Sequence, residues 1–254
     1  MADEIEYRVV GDDMQMVEVA LDPGEAVRAE AGAMLYITDG IEIQTSTGGG
    51  LFKGLKRVFA GETFFITSFL YTGKGKGVAA FAAPYPGKIV PLDLTRFNGS
   101  MLVQRDGFLA AAAGIEIEVA FTKRLGAGLF GGEGFILQRL RGDGLAFVHA
   151  GGTVVRRELA RGETLRVDTG CLVAMDEAVD YDIQFIGGIR NALFGGEGLF
   201  LATVSGPGTV FLQSLPFSRL ADRVLQAARF AQKGEKKGVG GVGGNLLGGL
   251  LQGD

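Results

Sequence analysis

One pattern recurs three times along the chain and limits the fold more than any other feature. Leu21–Tyr36 reads LDPGEAVRAEAGAMLY and Leu159–Ala174 reads LARGETLRVDTGCLVA. Leucine, Gly-Glu, arginine, an acid and a second glycine coincide without a gap. A weaker version runs through Leu102–Ala111, LVQRDGFLAA, where Asp106 precedes Gly107 as Ala31 and Thr169 precede Gly32 and Gly170. Each copy continues alike, through Ile41-Glu42-Ile43-Gln44, Ile115-Glu116-Ile117-Glu118 and Val179-Asp180-Tyr181-Asp182. Glycine-rich loops carrying Glu62, Glu133 and Glu197 then enter apolar runs, and turns close at Gly73, Gly142 and Gly206. The glutamates are 71 and 64 residues apart and the turn glycines 69 and 64. Order and spacing preserved together mark tandem copies.

Each copy reads as β structure. Ile41–Gln44 alternates apolar and polar residues, the period of a strand with one face in a core, and MQMVEVAL over 14–21 does so approximately. Thr63–Tyr71, TFFITSFLY, suits a strand buried on both faces. Glycine supplies 43 of 254 residues, with no Gly-X-Y period, and it clusters in turns as Gly-Asp-Gly and Gly-Pro-Gly. The expected fold class is therefore all-β. The repeats span 1–86, 87–151 and 152–215 as small two-sheet sandwiches about a pseudo-threefold axis, in one compact body. A unit of roughly 60–70 residues buries too little surface to be stable alone, so packing of the three supplies the missing burial. A propeller needs more blades, and the units of a β-trefoil are shorter.

After Pro216 the β pattern stops. Ser218 is the expected N-cap of a helix with Leu220, Val224, Leu225, Ala228 and Ala231 on an apolar stripe. Arg219, Arg223, Arg229, Lys233, Lys236 and Lys237 face only Asp222 and Glu235 over 219–237. The overall charge of −4 thus conceals an acidic body and a basic C-terminal segment. From Gly238 the chain is a glycine- and leucine-rich tail. Residues 216–254 read either as a helix docked on the body with a loose tail, or as a basic amphipathic helix that meets a membrane surface or a protein partner.

Several chemistries find little support. One His and one Cys cannot build a His/Cys metal cage within one chain, and no intrachain disulfide can form. Glu62, Glu133 and Glu197 could ring an axis and hold a hard cation, but glycine-rich hairpins need no ligand to explain them. Gly48–Gly54 resembles a phosphate loop in composition only, because Leu55 rather than Lys-Ser or Lys-Thr follows Gly54. His149 has no nucleophile elbow to serve and reads as a structural histidine. Cys171 matches Ala33 and reads as a small buried side chain. Arg28 with Glu30, and Arg166 with Asp168, would project from one strand face and read as structural elements that pair across strands within or between units. An acidic chain without an aromatic–basic string is not expected to bind nucleic acid. No cofactor is expected. The N-terminus, MADEIE, lacks the basic and apolar regions of a signal peptide, so the expected location is the cytoplasm, with peripheral membrane contact through the C-terminal segment.

The run PGEAVRAEAGAMLYITDGIEIQTSTGGGLFKGLKRVFAGETFFITSF, the later Leu193–Gly198 and the leucine–glycine tail resemble the AIM24 family, a conserved bacterial family of unknown function. The resemblance implies three tandem copies of a TRAP-like fold, a short double-stranded β-helix named after the tryptophan RNA-binding attenuation protein. It implies no activity for the bacterial members, whereas eukaryotic relatives are mitochondrial and linked to inner-membrane organisation. A fold name does not carry RNA or tryptophan binding with it. The reading from sequence is a non-enzymatic scaffold or interaction protein, able to self-associate. The alternative is a small-ligand or carbohydrate-binding module using the repeated glycine-rich loops.

Overall fold

The computed structural model describes residues 1–30, 32–45, 66–123, 135–186 and 199–240. Among the described residues, Met1–Pro216 holds nineteen strands in four sheets, and the one α-helix, α1 (Phe217–Gly240), follows. The chain divides between the two as Met1–Pro216 and Phe217–Asp254.

After an initial β1 (Glu6–Val10), the strands fall into three sets with one pairing scheme. The first set is β2 (Met16–Leu21), β3 (Ala26–Glu30), β4 (Met34–Ile37), β5 (Ile41–Thr45), β6 (Ile66–Tyr71) and β7 (Gly77–Ala82). Here β7 lies between β2 and β4 in one layer, and β6 lies between β3 and β5 in the other. The second set is β8 (Gly87–Asp93), β9 (Ser100–Gln104), β10 (Phe108–Ala112), β11 (Glu116–Lys123), β12 (Phe135–Arg141) and β13 (Leu145–Gly151). Its layers are β8-β13-β10 and β9-β12-β11. The third set is β14 (Val154–Leu159), β15 (Thr164–Asp168), β16 (Leu172–Asp176), β17 (Asp180–Ile186), β18 (Leu199–Ser205) and β19 (Gly208–Gln213), layered as β14-β19-β16 and β15-β18-β17. The register slips by one residue at the same place in each set, between Met34 and Tyr36, Phe108 and Ala110, and Leu172 and Ala174. A bulge inserts one residue and bends the strand.

The layers close on apolar side chains drawn from alternate strand positions. In β2, Val17, Val19 and Leu21 are fully buried while their neighbours are half-buried. Phe69 of β6 meets Phe81 of β7 edge-on, with centroids 5.2 Å apart, which ties one layer to the other. Burial of each such side chain is worth roughly 1.5–3 kcal/mol.

The sets are then joined by strand pairing. β3 pairs with β10 and β9 pairs with β16, so each joint fuses half of one sandwich with half of the next into a six-stranded sheet. Both joints have one register: Ala110 opposes Ala29, and Ala174 opposes Val103. β4 and β15 occupy the corresponding positions at the free ends of their sheets.

The ladder shifts one detail of the sequence alignment. Counted from the bulges, Asp106 stands where Gly32 and Gly170 stand, and Gly107 stands with Ala33 and Cys171. Gly32 has a positive φ of 90°, but Gly170 does not, so the corner does not demand glycine at that position. Gly107 answers to packing instead, since a Cβ there would lie 3.3 Å from the His149 carbonyl oxygen. Two boundaries also move. β2 starts at Met16 rather than 14, and α1 starts at Phe217, so Ser218 lies inside the first turn. The 63–65 part of the expected strand lies outside the described residues.

Candidate functional site

The corner between β3 and β4 carries Glu30, and the corner between β9 and β10 carries Arg105 and Asp106 in a short 3-10 turn. Because β3 pairs with β10, these corners converge at the first joint. The Asp106 carboxylate accepts from Gln104 Nε2 at 3.3 Å and from Arg105 Nη2 at 3.2 Å. Glu30 faces this pair from a half-buried position. Burial raises its carboxyl, the Asp106 charge raises it further, and the Arg105 guanidinium opposes the rise, leaving it at about 7. The Tyr85 hydroxyl, in the segment between β7 and β8, is also pushed up, first by burial and then by Asp106 and Glu30.

His149 completes the group from β13. It is only 2% exposed, and its ring meets Tyr85 edge-on at 4.4 Å. Burial pushes its imidazole down to about 4, against a hydrogen bond to the Tyr85 backbone that favours the charged form. It is therefore neutral at pH 7. Its Nδ1 is buried with no hydrogen-bond partner among the described residues. Gly87 makes room for the ring, since a Cβ there would sit 2.5 Å from His149 Nε2.

The second joint has the same backbone and different chemistry. Gln213 of β19 stands at the register position of His149. Its Nε2 donates to the Gly170 carbonyl at 2.7 Å, and its Oε1 accepts from Gly151 N at 2.7 Å. Both groups of this buried amide are thus satisfied without charge. Asp168, at the position of Glu30, accepts from Gly170 N at 2.9 Å. On the rim, Arg139 of β12 bridges Glu118 of its own set and Glu177 of the third, each at 2.7 Å.

The sequence candidates distribute unevenly over this geometry. His149 and Glu30 both border the first joint, His149 through its ring contact with Tyr85 and Glu30 through its charge acting on the same Tyr85 hydroxyl. Arg28 donates across the joint, from Nη1 to the Ile115 carbonyl at 3.3 Å, so its reach is between strand sets. Cys171 is half-buried at the register of Ala33. Glu62, Glu133 and Glu197 lie outside the described residues. Arg219 and Arg223 are exposed on α1, and the backbone carries Arg229, Lys233, Lys236 and Lys237 along the same helix, their side chains lying outside the described residues. Sequence reasoning misses Tyr85, which stands in no recurring motif, and Arg105, whose place in the weaker copy at 102–111 gives no sign of a polar cluster. No group of three or more His, Cys, Asp or Glu side chains able to hold a metal ion occurs among the described residues. An open groove of about 300 Å³ beside β1 is lined by Glu4, Glu6, Asp22, Glu25 and Lys76, with Lys76 Nζ 2.7 Å from Glu6.

Residues 7–215 match the family model described as mitochondrial biogenesis AIM24. The chain belongs to the AIM24 family. The family match thus takes in both joints and stops short of α1. An uncharacterised protein of Streptococcus pyogenes serotype M6 is 30% identical over 218 residues, covering 81% of this chain and 84% of its own. A crystal structure of a Streptococcus pyogenes protein from structural genomics superposes with a TM-score of 0.71 at 25% identity, over 88% of this chain and all of that one.

Proposed function

We propose that this AIM24 protein is a non-enzymatic scaffold that meets an anionic membrane surface through α1. Its body is read as three TRAP-like copies, on the strength of the pairing scheme and bulge that recur in the three strand sets. The observation that carries the membrane part is the composition of the helix surface. Phe217, Val224 and Leu225 are 51%, 61% and 54% exposed. At 3.6 residues per turn, Leu220, Val224 and Ala228 fall in one arc, and Arg219 and Arg223 fall outside it. Such a helix lies in the headgroup region with its apolar arc down and its basic residues toward anionic lipid. Contact of this kind is peripheral. Among the described residues no helix is long and apolar enough to cross a membrane.

Vesicle flotation tests the reading. The full chain is expected to float with vesicles containing phosphatidylglycerol and to stay behind with phosphatidylcholine alone. Arg219→Glu with Arg223→Glu, and a chain ending at Ser214, are expected to lose flotation. Equal, negligible flotation of all forms removes the membrane part of the proposal.

A further inference from the structure

We propose that the free edges of β4 and β15 pair between copies of this chain, head to tail, repeating the joint that the chain already makes twice within itself. This goes beyond the membrane reading and does not rest on it.

The joint has a fixed recipe. The strand that follows the corner of one set, β10 or β16, lies antiparallel to the strand that precedes the corner of the set before it, β3 or β9. By the same recipe, no described strand stands beside β4 in the role of a preceding set, and none beside β15 in the role of a following one. Both are sheet ends among the described strands. Neither pairs with the other in the chain, although both belong to the unit Met1–Pro216.

The consequence shows in exposure. Met34, Leu35 and Tyr36 of β4 are 42%, 54% and 41% exposed. Their register counterparts are buried to within 2%: Phe108, Leu109 and Ala110 in β10, and Leu172, Val173 and Ala174 in β16. Leu35 is the bulge residue, as Leu109 and Val173 are. Three consecutive large side chains thus stand in water where the two internal joints bury theirs. An edge with unpaired N–H and C=O groups and apolar side chains is a template for another strand. On the other edge, Thr164 and Arg166 are exposed, while Val167 is buried as Ala29 and Val103 are.

The internal register fixes the external one. Ala110 opposite Ala29, and Ala174 opposite Val103, place Tyr36 opposite Val167 of the neighbouring copy. Ile37 then opposes Arg166, as Ala111 opposes Arg28. Arg28 donates to the carbonyl of Ile115, which by register corresponds to Ile41, so Arg166 is expected to donate to the neighbouring copy's Ile41 carbonyl. The two patches differ, so the contact is heterologous. Such contacts build closed rings when the rotation per copy closes, and open chains when it does not.

Sedimentation velocity of the full chain, without lipid, against protein concentration is the first measurement. The proposal expects mass to grow with concentration, and Leu35→Lys to weaken the association by about tenfold or more while far-UV circular dichroism stays unchanged. Cross-linking gives the register. In a Cys171→Ala background, a mixture of an Ile37→Cys chain and an Arg166→Cys chain is expected to form a disulfide dimer, and neither chain alone is. A protein that remains monomeric at several hundred micromolar overturns the proposal. So does a dimer formed by Ile37→Cys alone, which would mean like edges pair. So does a chain carrying both cysteines that cross-links within itself, which would mean the free edges close on each other.

Discussion

The two internal joints share a backbone and differ in what fills it. At the second, Gln213 uses one amide to satisfy a donor and an acceptor across the seam, both at 2.7 Å. At the first, the same register position holds His149, which is buried, leaves Nδ1 unpartnered among the described residues, and sits within a group containing Glu30, Asp106 and Tyr85. The difference shows that the ladder and the apolar packing make the joint, while the polar residues decide whether it responds to pH. A neutral amide is indifferent to protons. A buried imidazole and a raised carboxyl are not.

The sharpest way to break the comparison is to remove the apolar anchor common to both joints. Phe147 packs edge-on against Tyr7 at 5.1 Å, and Phe211 against Phe97 at 6.2 Å. Phe147→Ala and Phe211→Ala are each expected to cost about 3–5 kcal/mol in urea unfolding. A loss under about 1 kcal/mol at either position would mean that its joint is held by something else.

The pH response sharpens it next. His149 titrates near 4 folded against 6.5 in its ordinary state, so the unfolded chain binds the extra proton between those values. Its contribution is fully present above pH 6.5 and is lost as pH falls toward 4, about 3 kcal/mol in all. Glu30 runs the other way. Its folded value of about 7 lies above 4.5, so the folded state holds the proton, and stability is lost as pH rises from 4.5 to 7. Between 4.5 and 6.5 the two slopes oppose and nearly cancel. His149→Gln, which gives the first joint the chemistry of the second, is expected to unmask a stability that falls with rising pH by up to about 1.4 kcal/mol per unit. Glu30→Gln is expected to unmask the reverse slope. Chemical denaturation of both variants from pH 4 to 7.5 checks this, and parallel profiles for the two would refute the assignment.

Gln213→Ala tests the neutral joint. It strands Gly151 N–H and the Gly170 carbonyl, and is expected to cost about 1–3 kcal/mol with no new pH dependence. The smallest effect is expected at the rim. Arg139→Ala loses two ion pairs by a partly exposed side chain, worth about 1 kcal/mol or less, and less still in high salt.

Strand character was legible where alternation places Val17, Val19 and Leu21 inward without help from distant residues. The corner frame was legible only to within one residue. The eye aligns Gly107 with Gly32 and Gly170, yet the bulge, which no residue type announces, places Asp106 there. The polar group of the first joint was not legible at all. Glu30, Tyr85, Asp106 and His149 come from four separate segments, and only the β3–β10 pairing and the close approach at Gly87 assemble them. The exposed β4 edge was hidden for the opposite reason, since Met34-Leu35-Tyr36 reads like any buried strand until its missing neighbour is seen.

Hydrogen exchange followed by mass spectrometry across a urea series addresses most directly whether the joints weld three sandwiches into one cooperative body. If they do, amides of β3, β10, β9 and β16 open at one shared free energy and with one shared denaturant slope. Three separate opening steps, with β10 released before β16 and each set behaving as its own domain, would contradict it.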